Sequence, residues 1–235
     1  MKAIPLKKVE LWSGKGDNQD LDRGGLTMYV EKPMIVFLDK LASRSPEPGG
    51  GSVSALVGAL GAALISMVGN LTLGKEKYAD VQDRIEELLK SSERLRDQLQ
   101  TLIQRDTEVY ADVSAAYKLP RETEEEKAER AARIQEALKK ATEVPFEIAE
   151  RCLEVARLSK TAAEIGNVGA VSDAGVAVLL AEAAAQSAAL NVKINVNSIQ
   201  DRDFTESRWS RVQEILEETA GLRDEVVKLT YEKLG

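Results

Sequence analysis

Three groups of residues in this 235-residue chain have types and spacings that packing alone does not require. The first is Pro48-Gly49-Gly50-Gly51-Ser52, set directly before a long run of small apolar residues. Successive glycines let backbone N–H groups converge on an anion, a carboxylate or a ligand carbonyl at the positive end of a helix. The run lacks the Gly-Lys-Ser/Thr ending of a P-loop and no strand pattern precedes it, which argues against both nucleotide-binding modes. The plain alternative is a flexible turn with Ser52 as helix cap.

The second is Asp106. Over Val81, Ile85, Leu88, Ser92, Leu95, Leu99, Leu102, Asp106, Val109 and Val113 the spacing alternates four and three, the seam of a bundle helix. Ser92 can return its hydroxyl to the backbone, but Asp106 is a carboxylate among leucines and valines. Desolvation there raises its pKa unless a cation or several donors compensate. It is either the partner of a base on a neighbouring helix, or a general acid/base or counterion for a cationic ligand. The third group is polar: Asn70 and Thr72, Asp173, Asn191 and Asn195, with Asp201 shortly after. Each alone suits a cap or turn. Their concentration at the ends of two Ala/Gly-rich segments predicts one shared polar cleft.

What is missing narrows the chemistry. The chain has no histidine, so proton transfer falls to carboxylate, lysine, tyrosine or water. Its one cysteine, Cys152, has no histidine to activate it and reads as a small buried apolar residue. A net charge of −7 supplies no chain-wide positive field for nucleic acid. No secretory signal pattern opens the sequence, and the expected location is cytoplasmic.

The elements that must hold these groups read as all-α. Aromatic residues make up 4% and prolines number six in a chain rich in Ala, Leu, Glu, Lys and Arg, composition that disfavours a sandwich or barrel. Residues 1–33 show no sustained period and read as an extension to a helical domain over 34–235. Ile35, Leu38 and Leu41 predict a short helical stripe. Val53 to Val68 is apolar on all sides; it is short for a membrane span, Gly/Ala-rich and without a clear second span, so it predicts a central helix. Tyr78 to Lys118 is the long seam helix. Pro120 and the acids Glu122 to Glu126 mark the start of a second long helix, which Pro145 is expected to kink or divide. Gly166 to Gly169 ends it and Ser172-Asp173 opens the next. Asn191 to Asn197 alternates at period two, but a lone strand has no partner, so a helix with Asn191 and Asn195 on one face is preferred. A last helix spans about Thr205 to Lys233. Trp12 and Trp209 are read as packing residues.

Pro-Gly-Gly-Gly-Ser at 48–52, Met67-Val-Gly-Asn-Leu-Thr72 with Lys75 and Tyr78, Arg105-Asp106, Val144-Pro145, Ser172-Asp173-Ala-Gly and Asn191-Val-Lys-Ile-Asn195 together resemble the cyclodeaminase/cyclohydrolase family. This family comprises the C-terminal domain of formiminotransferase-cyclodeaminase and stand-alone relatives that include methenyltetrahydrofolate cyclohydrolases. The resemblance covers about Met34 to Lys233. It implies a mostly up-and-down bundle that dimerises through its helices, a folate cleft near the glycine loop, and a reaction without metal or redox cofactor. On that resemblance Asp106 is the catalytic acid/base. Gly49, Gly50, Gly51, Ser52, Asn70, Thr72, Asp173, Asn191 and Asn195 are folate-binding, with Lys75 or Lys77 meeting the glutamate tail. Hydrolysis of 5,10-methenyltetrahydrofolate is the leading expectation. Cyclodeamination of a formimino-folate, or an idle folate-binding helical module, are the alternatives.

Overall fold

The computed structural model describes residues 29–235. Residues 1–28 of the expected extension, Trp12 among them, lie outside the described residues. Tyr29–Glu31 already forms a 3-10 turn, and Tyr29 meets Phe37 edge-on with ring centroids 5.6 Å apart, so packing begins before Met34.

Among the described residues the chain forms six α-helices and no strand: α1 Met34–Leu41, α2 Gly50–Asn70, α3 Gln82–Tyr117, α4 Glu124–Ile165, α5 Val171–Val196 and α6 Arg202–Leu234. In α1 the expected stripe is buried only at its end. Leu41 packs against the core and Phe37 enters it, while Ile35 and Leu38 stay 54% and 49% exposed, because an eight-residue helix at the bundle edge is anchored by its bulkiest apolar side chain. Helix α3 follows its predicted seam: Ile85, Leu88, Ser92, Leu95, Leu99 and Leu102 are all buried. Ser92 Oγ donates to the Leu89 carbonyl at 3.0 Å and meets Ser66 Oγ at 2.8 Å.

Helix α4 is 42 residues long and starts in a capping box, with the Thr123 hydroxyl accepting from Glu126 N–H and the Glu126 carboxylate accepting from Thr123 N–H. Pro145 does not divide it. Helix α5 runs through Asn191 to Val196, and its N-cap position is Ala170 rather than Ser172 or Asp173.

Helix α2 packs on α3 and α5, α4 packs on α3, α5 and α6, and the apolar core fills the space between. Small residues on α2 permit this closeness. A Cβ on Gly58 would lie 2.8 Å from Cys152 Sγ, and burial pushes that thiol up to about 12. By length and composition, Gly50–Asn70 and Val168–Val196 are each apolar enough to cross a membrane, so a second such segment does exist. The bundle buries 61% and 50% of their most apolar windows.

Helices α2 and α5 are antiparallel. Gly50 faces the Asn191 amide at one end, and at the other Asn167 N–H donates to Thr72 Oγ1 at 2.8 Å. The two ends are separated by the length of α2, about 30 Å at 1.5 Å per residue.

Candidate active site

The first turn of α2 is where three elements meet. Its N-cap position is Gly49, whose backbone is extended and which has no side chain to offer the free N–H groups. Asp106, one turn beyond Leu102 on α3, fills that role from outside the helix. Its Oδ2 accepts from Ser52 Oγ at 2.7 Å, and the Ser52 backbone N–H also donates to it. Ser52 is therefore not the cap; it stands in the first turn and donates to the carboxylate that caps in its place. Gly51 is required by this approach, since a Cβ there would fall 2.0 Å from Asp106 Oδ1.

The ion-pair reading of Asp106 does not hold among the described residues. Arg105 beside it turns to Glu147 at 2.8 Å, and the groups that act on Asp106 are the hydroxyl and N–H of Ser52. Burial raises the Asp106 pKa more strongly than the two Ser52 hydrogen bonds lower it, so the carboxyl titrates above its ordinary range.

Asp106 opens into a cavity of about 390 Å³ bounded by the glycine loop, the far half of α3, the middle of α4 and the end of α5. Gly49, Gly50, Gly51, Asp106, Asn191 and Asn195 all line it. Asn191 Nδ2 donates to Ser187 O at 2.9 Å and Asn195 Nδ2 to Ala141 O at 3.0 Å, which leaves both Oδ1 atoms as acceptors. Glu47, Tyr110 and Pro145 line it too, and the sequence reading missed them. Spacing held the signal for Tyr110, one turn after Asp106, and adjacency to Pro48 held it for Glu47. The apolar lining comes from Val109, Val113, Leu138 and Ile194. No lysine or arginine is among the lining residues described. Two carboxylates and two amide oxygens without a cation make a site complementary to a positively charged ligand rich in N–H groups.

The remaining polar candidates are not here. Asn70, Thr72 and Asp173 sit at the opposite ends of α2 and α5, so one shared cleft does not form. Thr72 is fully buried, donates to Val68 O at 2.7 Å and receives Asn167 N–H. Asn167 also donates to Leu71 O at 3.0 Å and, with Tyr78, forms a latch between the α2 end and the start of α5. Lys75 and Lys77 follow α2 at that same remote end, with Lys77 over the Tyr78 ring. Antiparallel packing separates these groups, a relation that local polarity does not reveal. A smaller groove of about 210 Å³ between Tyr29, Phe37 and Leu56 has no carboxylate in its lining. Among the described residues no three His, Cys, Asp or Glu side chains are grouped to hold a metal ion.

An all-helical bundle carrying a half-buried carboxylate at a glycine-rich helix start defines a class, and comparison with known proteins identifies it. The family model for formiminotransferase-cyclodeaminase matches residues 33–230, and the chain belongs to that family. It is 48% identical to a methenyltetrahydrofolate cyclohydrolase of Methylorubrum extorquens, over 88% of this chain and 100% of that protein. It is 34% identical to the formimidoyltransferase-cyclodeaminase of Rattus norvegicus over 84% of this chain, which corresponds to 36% of the rat protein. The crystal structure of a formiminotetrahydrofolate cyclodeaminase from Thermotoga maritima superposes with a TM-score of 0.80 at 31% identity, covering 88% of this chain and 99% of that one.

Proposed function

We propose that this chain is a methenyltetrahydrofolate cyclohydrolase, converting 5,10-methenyltetrahydrofolate and water to 10-formyltetrahydrofolate. The observation that carries the reading is the cation-free cavity around a half-buried Asp106. The methenyl bridge is an amidinium cation, and a carboxylate held in a partly desolvated site stabilises it as no water molecule can. The likeness to the M. extorquens cyclohydrolase runs the full length of that protein and supports the same choice.

In the reaction, water adds to the bridging carbon as its proton passes to the Asp106 carboxylate, giving a neutral tetrahedral carbinolamine. Breaking the bond from that carbon to N5 then produces the 10-formyl group. N5 takes the proton from Asp106, and the carbinol proton leaves to solvent. Ser52 holds Asp106 in place through both steps. A pKa above the ordinary carboxylate range suits a group that must accept and return one proton. As written, the steps use no metal or redox cofactor.

Cyclodeamination is the second reading, supported by the T. maritima likeness. Incubating the chain separately with 5,10-methenyl- and 5-formimino-tetrahydrofolate decides between them. Decay of methenyl absorbance in the first is expected; growth of that absorbance with ammonia release in the second identifies a deaminase, and inactivity in both refutes the enzyme reading.

The working form is a cytoplasmic homodimer. Leu60 and Met67 on α2 and Val176, Leu179, Leu190 and Ile194 on α5 are exposed apolar side chains on two helices that pack together, surface suited to a second copy. In this reading α2 and α5 are core and interface helices, not membrane spans.

A further inference from the structure

Pro145 stands inside α4, where proline is the least favourable residue. It has no N–H, so the Ala141 carbonyl four residues earlier loses its helical donor, and the ring pushes that carbonyl outward. The missing donor comes from another helix: Asn195 Nδ2 on α5 lies 3.0 Å from Ala141 O. Ala141, Pro145 and Asn195 all line the cavity that holds Asp106.

The hydrogen bond fixes which way the Asn195 amide faces. Its NH2 group is committed to the carbonyl, and Oδ1 is the polar atom left for a ligand. Asn191, one turn earlier, reaches the same state through the Ser187 carbonyl of its own helix at 2.9 Å, a bond any helix can provide. The Asn195 bond is different in kind, because it depends on a carbonyl that only proline sets free.

We infer that Pro145 is a positioning residue: by releasing the Ala141 carbonyl it clamps Asn195 with Oδ1 turned to the cavity, where it accepts a hydrogen bond from an N–H of the reduced pterin. The identity of that donor rests on the folate reading above. An acceptor fixed there selects for ligands that present N–H and against those that present a carbonyl. Replacing Pro145 by alanine returns the N–H to α4, draws the Ala141 carbonyl back into the helix and lets the Asn195 amide rotate.

The test is a double-mutant cycle of Pro145→Ala and Asn195→Ala in the full chain, with 5,10-methenyltetrahydrofolate as substrate. Each single change is expected to raise KM about fivefold, the worth of one hydrogen bond, with kcat within about twofold. The double variant is expected to match the singles, because both remove the same interaction. KM unchanged in Pro145→Ala, or effects that multiply in the double variant, overturn the inference. Pro145→Ser also returns the N–H to α4 and carries the test if Pro145→Ala folds poorly, with the same KM rise expected. Side-chain amide exchange of Asn195 by NMR needs no turnover. Slow exchange that Pro145→Ala makes fast supports the clamp, and unchanged exchange refutes it. Wild-type protein that fails to consume the substrate points instead at the folate reading.

Discussion

Asp106 is held by one helix and aimed by another, and its titration follows from that. Burial raises its folded pKa above the unfolded value, so the folded state binds the proton more tightly. The stability this contributes is full below the ordinary carboxylate range and is lost as pH rises through the raised folded value. Asp106→Asn should therefore gain on wild type in thermal stability between pH 4 and neutrality; a difference that stays flat across that range would contradict the raised pKa. Activity runs the other way, since the base must be ionised: kcat/KM should fall as pH drops through the Asp106 pKa. Gly51 sets the geometry. Gly51→Ala forces a Cβ into the carboxylate and should cost about 1–3 kcal/mol in denaturant unfolding, as overpacking does, along with most activity. Gly50→Ala meets the Asn191 side chain only at 3.4 Å and should cost much less. At this scale Asp106 was legible because a carboxylate interrupts a counted apolar row, and Gly51 was legible as one of three glycines. Glu47 and Tyr110 were not, since adjacency to Pro48 and one turn's spacing from Asp106 are weak signals for residue types common on helix surfaces until the cavity groups them.

Helices were legible where a period repeats often enough to outweigh accidents. The α3 seam is buried in the order of its four-and-three spacing as far as Leu102; beyond it Asp106, Val109 and Val113 are half-buried and face the cavity. The acidic run before α4 marked its start, and the capping box there is separate from the site. Thr123→Ala should lower stability by about 1 kcal/mol, or roughly 2–4 °C in Tm, with kcat/KM unchanged. A melt equal to wild type would show that the box contributes nothing. Short elements were harder. Helix α1 has too few turns for its stripe to decide which face is buried, and Phe37 sets it with Leu41 beside the core. Pro145 predicted a break from local sterics, yet α4 continues because α5 supplies a donor to the carbonyl that proline leaves free.

Across the whole molecule, the fold class followed from composition, but the pairing of helix ends did not. Asn70, Thr72 and Asp173 carry the same polar signal as Asn191 and Asn195, and only the antiparallel run of α2 against α5 sends the two sets about 30 Å apart. The exposed α5 residues also acquire meaning only in the assembled bundle. Leu190 and Ile194 are 73% and 68% exposed, and Ile194 lines the cavity. Leu190→Glu should turn a dimer into a monomer by sedimentation equilibrium, and a wild-type monomer would refute the proposed interface. The most direct measurement is the decay of methenyl absorbance from 5,10-methenyltetrahydrofolate, compared between wild type and Asp106→Asn of matched helicity. Removing the acid/base should slow kcat by roughly two to four orders of magnitude. Near-equal rates in the two proteins would contradict a reaction in which Asp106 moves the proton.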